Sequence, residues 1–399
     1  MDPMRPRRGG RYAGLSVVRA VNEDAVLTAI LERGPISRAE LGQELALSKP
    51  TISSIMGRLE SQGLVKVHGS RPSATGRPAT LYELNRQAGY VLGVDLGGAT
   101  VRAVLADLYG DVVRYTARPV DGGTPGAILR QLRDMRDDLV ATAGIDGRLL
   151  LAGGIGVPGI LDPSGHSVSA AYNVPALAEL DVLDDVAAAL ELPVTVENDV
   201  NLAAIGEGWR GCAVGCRNFA LIAVGTGVGM GIVLDGELYR GPRGAAGEID
   251  FLPLAVDQAP VTGDHGPLES VVSGPSVLAR YRSATGRTDA DKVSDLAAAA
   301  TAGDVAAEAA IRELAGAVAF AVASVVCVLD PERVVLGGGV GSIEALIPPV
   351  REAVRRLSTR DVPIETGALA GRATAYGALA VALRDARQQL LGGQDVPDA

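Results

Sequence analysis

The sequence predicts an α/β protein made of a winged helix-turn-helix head and a two-lobed body, and three observations predict it. Charge divides the chain: residues 1–85 carry 12 Lys and Arg against 8 Asp and Glu, net +4, which within a total of −10 leaves −14 to the rest. A helical trio followed by a basic strand pair fills the head. Two similar glycine-turned hairpins, beginning near Val91 and Phe219, open two halves of the body. A chain of 399 residues is too long for one core, and the domains are expected at 12–85 and 86–390.

In the head, Val26, Leu27, Ile30 and Leu31 recur at helical spacing until Gly34-Pro35 stops the helix. Ser37 caps a second helix, with Glu40 placed to close a capping box. Ser48 caps a third, and Pro50 falls in its first turn, where a missing N–H is harmless. Ile52, Ile55, Met56 and Leu59 form that helix's apolar stripe and leave Lys49, Thr51, Ser53, Ser54 and Arg58 outward. Hydroxyls for base edges beside charge for phosphates are what a recognition helix needs. The segment "LVKVHGSRPSATGRPATLYEL" then reads as two strands around a basic tip, a wing carrying Arg71 and Arg77. Its Thr75–Pro78 stretch is small, extended and suited to a minor groove. A polar-faced trio alone is also what a solvated bundle shows; the basic wing adds the polyanion footprint, so operator DNA is the expected partner.

Four glycine-rich turns punctuate the acidic body, each behind a β-rich apolar run: "VDLGGAT" from Val94, "GGIGVPG" from Gly153, "AVGTGVG" from Ala223 and "LGGGVG" from Leu336. Glycines at such turns let backbone N–H groups approach an anion. One such turn is weak evidence, since hairpins use glycine for conformation alone. Two related hairpins and a later triple glycine describe a nucleotide cleft between lobes, with Asp95, Gly97, Gly98, Gly225, Thr226, Gly227 and Gly338 on its turns.

From about Asn22 to about Leu383 the chain resembles the ROK family of repressors and sugar kinases. The resemblance implies an actin-like, ribonuclease H-like ATPase fold for the body. The head makes the chain similar to the regulator branch, which includes xylose and N-acetylglucosamine repressors. On the same resemblance, "VENDVNLAAIGE" places Asn198 as a sugar contact and Asp199 at the position of the general base. Helix capping is the other use of Asn198-Asp199. Asn173 in "YNVPAL", Glu248 in "GAAGEID" and Glu269 in "GPLESVVS" are further implied contacts. Gly156 in "GIGVPG" is expected to line the same pocket, and the family's tryptophan after Asn173 is Leu177.

Departures from the family pattern matter as much. Its zinc is held by a histidine and three cysteines, which fall here on Phe251, Pro260, Thr262 and Pro267. None supplies a thiolate or imidazole, so no metal or other cofactor is expected. His265 stands alone, and Cys212, Cys216 and Cys327 read as packing thiols in a reducing compartment. Phe251 would also alter the sugar pocket, by stacking on a sugar face or filling space. The kinases' D-x-G-G-T-K turn is "DLGGAT" here: Ala99 removes a hydroxyl donor, Thr100 replaces the lysine, and the basic residue nearby is Arg102.

The sequence therefore predicts a DNA-binding regulator, a repressor of carbohydrate-related genes, whose body binds a sugar or derivative and which does not catalyse. The alternative is an active ATP-dependent sugar kinase with an added DNA-binding domain; a third is a head that binds protein. A homodimer or homotetramer is expected. No run reaches 18 uncharged apolar residues, the Ala-rich stretch Ala315–Leu329 reading as a short buried helix, so a cytoplasmic protein without a membrane span is expected.

Overall fold

The computed structural model describes residues 10–73, 76–254 and 266–390. The head comprises α1 (Gly10–Arg33), β1 (Ile36–Ser37), α2 (Arg38–Glu44), α3 (Lys49–Ser61) and the wing strands β2 (Val65–Ser73) and β3 (Gly76–Leu84). Its capping chemistry follows the sequence. Ser37 accepts from the Glu40 N–H, and the Glu40 carboxylate accepts from the Ser37 N–H at 2.9 Å. Ser48 accepts from the Thr51 N–H, and Ile52, Ile55, Met56 and Leu59 are buried. α1 begins at Gly10 rather than near Asn22. Val26, Leu27, Ala29 and Ile30 in its second half are buried, whereas Val18 and Val21 are exposed. Apolar periodicity marked the stretch that packs, which is shorter than the helix.

The first lobe contains β4 (Tyr90–Leu96), β5 (Thr100–Asp107), β6 (Val112–Pro119), α4 (Pro125–Ala143), β7 (Leu150–Val157), the small pair β8 (Ile160–Leu161) and β9 (Val168–Ser169), α5 (Val182–Leu190), β10 (Val194–Asn198) and α6 (Asp199–Arg210). The second contains β11 (Phe219–Val224), β12 (Val228–Leu234), β13 (Glu237–Leu238), α7 (Glu269–Val272), α8 (Gly274–Thr285), α9 (Val293–Thr301), α10 (Val305–Leu329), β14 (Arg333–Gly337), α11 (Gly338–Gly341), α12 (Ile347–Leu357) and β15 (Ile364–Thr366); α13 (Ala373–Leu390) follows.

The sheets run β6-β5-β4-β7-β10 and β13-β12-β11-β14-β15. In each, three strands pair antiparallel in chain order and two more add in parallel beyond the first. This is the duplication foreshadowed by the two glycine-turned hairpins. β4 is buried throughout, as a central strand covered on both faces must be.

α10 differs from the short helix expected at Ala315–Leu329. Asp304 accepts from the N–H groups of Ala306 and Ala307, and the helix starts at Val305. It is long and apolar enough to cross a membrane. Its Leu314, Val318, Val322 and Val326 instead pack in the second-lobe core with Val334, Val350 and Ile364.

α13 ties the parts together. It packs on β4, β7 and α6, so closely that a Cβ at Gly377 would lie 1.8 Å from the Leu202 carbonyl oxygen. Its Leu379, Ala382, Leu383 and Ala386 share one core with Val26, Ile52 and Leu59 of the head. At the same junction Arg86 pairs with Asp107 at 2.7 Å and Asp111 at 2.5 Å, and the Leu84 N–H donates to the Tyr109 hydroxyl.

Candidate functional site

Two cavities meet between the lobes. The smaller, about 260 Å³, is walled by Asn173, Asn198, Asp199, Glu248, Asp250 and Glu269 together with the turns at Gly159 and Gly227. It falls just below the range of about 300–1,000 Å³ typical for drug-sized ligands, a fit for a small polar molecule. The larger, about 870 Å³, is walled by Asp95, Gly97, Gly98, Arg102 and the Gly337–Gly339 turn. Asp199, Val200, Gly225, Thr226 and Gly338 belong to both walls. Three sequence-expected turn positions, Gly225, Thr226 and Gly338, and the expected base thus lie where the cavities join.

Asp199 owes its place to the strand-to-helix switch. Asn198 ends β10 and caps α6, its oxygen accepting from the N–H groups of Val200 at 2.9 Å and Asn201 at 3.0 Å. The Asn198 amide donates to the Gly159 carbonyl at 2.9 Å. Capping therefore takes the side-chain oxygen and, with the bond to Gly159, leaves one amide hydrogen to donate elsewhere. The Asp199 carboxylate accepts from the Val200 N–H, and its main-chain carbonyl accepts from the Thr374 hydroxyl at 3.1 Å.

The site's carboxylates are crowded. Burial, then Asp95 and Glu248, push Asp199 up to about 7. Burial raises Asp95 to about 6, opposed by Arg102, which donates to it at 3.0 Å. Burial, then Asp250 and Glu269, push Glu248 up to about 7. The Glu269 carboxylate accepts from the Val228 N–H at 3.1 Å.

Three expectations need correction. Gly156 does not line the cavity: it is buried, and a Cβ there would lie 2.6 Å from Thr374 Cγ2, so its role is to admit α13. Pro158 and Gly159 supply that wall. Phe251 neither stacks over nor fills the pocket; it is 48% exposed, while its neighbour Asp250 is 8% exposed and faces the cavity. Arg58 is not an outward phosphate ligand: its guanidinium pairs with Glu23, a carboxylate only 2% exposed on α1.

The rest of the reading face is distributed as follows. Lys49, Ser53 and Ser54 are exposed on α3. The Thr51 hydroxyl lies 2.8 Å from that of Ser48, at the cap. Arg71 on β2 pairs with Glu40 at 2.6 Å. Arg77 lies in β3, with its side chain outside the described residues, as are Thr75, Pro260, Thr262 and His265. At the positions of the family's zinc ligands, Phe251 and a buried Pro267 offer no donor chemistry for zinc. Leu177 is fully buried in the first-lobe core. Cys212 and Cys216 pack beside Phe219 and Ala213, Cys327 is exposed, and burial pushes the Cys212 thiol up to about 11.

The family model described as "ROK family" matches residues 91–384, and that of the "MarR family" matches residues 25–75. The chain belongs to the ROK family. Among relatives of this ROK chain, the xylose repressor of Caldicellulosiruptor bescii is 28% identical over 389 residues, spanning 93% of this chain and 97% of its own. A ROK family transcriptional regulator, a homologue of the E. coli Mlc protein, has the same fold at a TM-score of 0.78 and 24% identity, covering 94% of this chain and 98% of that one. The ROK hexokinase from Thermus thermophilus is 29% identical with a TM-score of 0.64, covering 75% of this chain and 99% of that one. The MarR-type winged helix and the sugar-kinase-like body are thus both present in one ROK chain.

Sequence reasoning missed Asp250, Tyr172 and Thr374. Asp250 follows Glu248 by two residues, the only local signal of a second carboxylate there. Tyr172, half exposed on the cavity wall, adjoins Asn173. Thr374 reaches Asp199 across 175 residues, and no local pattern announces such a contact.

Proposed function

We propose that this ROK chain is a sugar-responsive transcriptional repressor of carbohydrate-related genes. One observation carries the reading: α13 begins at the effector cleft, where Thr374 holds Asp199, and ends in the hydrophobic core that the first lobe shares with the DNA-binding head. A ligand that favours one placement of α13 favours one placement of the head, which is how binding in the cleft changes affinity for DNA. Similarity to a xylose repressor along nearly the whole chain supports it. α3 reads the major groove and the wing tracks the adjacent backbone, with two heads of a homodimer or homotetramer on successive grooves. The protein acts in the cytoplasm, where its operator is.

The kinase reading keeps two supports, the position of Asp199 and the larger cavity. Against it, Ala99 lacks the phosphate-donating hydroxyl and Arg102 is fixed on Asp95, so phosphotransfer is negligible. Zinc plays no part, for want of ligands. The deciding experiment is a salt-dependent mobility shift on the gene's own upstream DNA with and without sugars. Sequence-specific binding that sugars weaken or strengthen supports the regulator; indifference to both DNA sequence and sugar overturns it.

A further inference from the structure

Arg240 reaches from the second lobe into the first. It follows β13, and its Nε–H donates to the carboxylate of Glu197 on β10 at 2.5 Å, a group only 5% exposed. The other oxygen of that carboxylate accepts from the Asn198 N–H and from the Asn201 side-chain amide, both at 2.9 Å. Asn198 and Asn201 belong to the wall of the smaller cavity, whereas Glu197 and Arg240 do not. One buried carboxylate therefore fixes two wall residues of the first lobe, and its cation comes from the opposite lobe. The segment 240–248 is anchored on both sides. The Met230 N–H of β12 donates to the Gly247 carbonyl at 2.9 Å, and the Ala246 N–H donates to the Arg240 carbonyl at 3.0 Å. Gly244, at φ +71°, lies so close to β8 that a Cβ would be 2.3 Å from the Leu161 carbonyl oxygen. Gly244, Ala246 and Glu248 of this segment wall the cavity together with Asn198 and Asp199.

We propose that Arg240 is a positioning residue of the effector site: its bond to Glu197 straps segment 240–248 to the first lobe and so sets the spacing between the Glu248 wall and the Asn198–Asp199 wall. This rests on the sugar-sensor reading and adds a residue that tunes sugar affinity from outside the cavity. A sugar held from two walls binds fully only when both stand within hydrogen-bond reach. Its apparent affinity falls by the fraction of molecules in which the strap is seated. The pair has a second, purely structural effect, since a buried carboxylate stripped of its cation is left uncompensated. The two effects separate because glutamine at 197 removes the charge and still accepts from Asn198 and Asn201, while making no bond across the lobes when Arg240 is absent.

The test is titration calorimetry on the full chain with glucose, xylose, glucosamine and N-acetylglucosamine, the tightest of which is then used on the variants, with thermal melting alongside. Arg240→Met is expected to weaken sugar binding about tenfold or more, the fold-change of a lost charge-assisted hydrogen bond. It should also lower the melting midpoint by about 2 °C or more. Arg240→Lys, which keeps a cation, is expected to stay within about threefold of the parent in affinity. In the double variant Arg240→Met, Glu197→Gln the midpoint should return towards that of the parent while the affinity remains about tenfold down. A double variant that recovers sugar affinity together with stability overturns the proposal, because the pair then serves only to neutralise a buried charge. Parental affinity in Arg240→Met overturns it as well, and in both cases the sugar sensor stands. Should Arg240→Met not fold, the double variant alone decides. If none of the sugars binds the parent chain, the sensor reading falls and the proposal with it.

Discussion

Arg102 donates to the buried carboxylate of Asp95 across 3.0 Å, placing a fixed guanidinium at the foot of the hairpin turn that faces the larger cavity. The two residues are directly opposite in the β4–β5 register, so the pair is set by strand pairing. A fixed monovalent cation on this carboxylate, beside a turn lacking the hydroxyl at Ala99, leaves little to stabilise a transferring phosphoryl group. With ATP, magnesium and a panel of hexoses, pentoses and amino sugars, ADP release is expected at background. Turnover of about 1 per second or more, the ordinary kinase range, would contradict this.

Stability should fall as pH rises through neutrality. Asp95 is raised to about 6, and Asp199 and Glu248 to about 7, all by burial first. In the unfolded chain such carboxyls ionise near pH 4, so between about pH 4 and 7 the folded state holds more protons. Their contribution is fully present below the unfolded values and is lost as pH rises through the folded ones. Asp199 is raised by both Asp95 and Glu248, so the protons belong to the cluster. Thermal unfolding is expected at least about 2–4 °C higher at pH 6 than at pH 8, the effect of roughly 1 kcal/mol. Asp199→Asn should flatten that difference and raise the midpoint at pH 8.

The head was legible in the sequence because its signals are local. Ser37 with Glu40, and Ser48 with Pro50, specify helix starts within a few residues, and the structure has both. The hairpins were legible for the same reason, and their similarity announced the repeated sheet order. Arg58 was misjudged because helical spacing tells which face a residue occupies and not what stands opposite; Glu23, 35 positions away, stands opposite. Gly156 was misjudged because a glycine lining a ligand and a glycine admitting a helix look alike in sequence. Asp250 is a third kind of case, in which the pattern implied by the resemblance drew attention to Phe251, one position too far.

Lys49 and Arg58 should separate DNA contact from support of the head. Lys49 is exposed on α3, so Lys49→Ala is expected to leave the unfolding midpoint unchanged and to reduce the salt dependence of DNA binding by about one phosphate contact. Arg58→Ala leaves buried Glu23 with Arg19, which pairs with it at 3.1 Å from an exposed position. The head should lose about 1–3 kcal/mol, read as a lower melting midpoint. Equal midpoints for the two variants would mean that the Arg58–Glu23 pair does not support the fold.

Thr374→Val should uncouple sugar from DNA without abolishing either. The Thr374 hydroxyl is a direct polar link from α13 to Asp199, and valine keeps its shape while removing the donor. The bond is worth about 0.5–1.5 kcal/mol, too little to unfold the body. It joins the effector cavity to a helix whose far end, at Leu383 and Ala386, is embedded with Val26 and Leu59 of the head. Coupling between two sites is a difference in free energy between two arrangements, commonly a 5–150-fold change in affinity. A link of this size can carry much of that range. The variant is expected to bind DNA and sugar each within about threefold of the parent while the sugar-induced change in DNA affinity shrinks several-fold. Thr195→Val is the control, since it removes a hydrogen bond to Asp385 on the same helix but outside both cavity walls. If the two variants respond alike, or if Thr374→Val keeps the full response, α13 does not transmit the signal through Asp199.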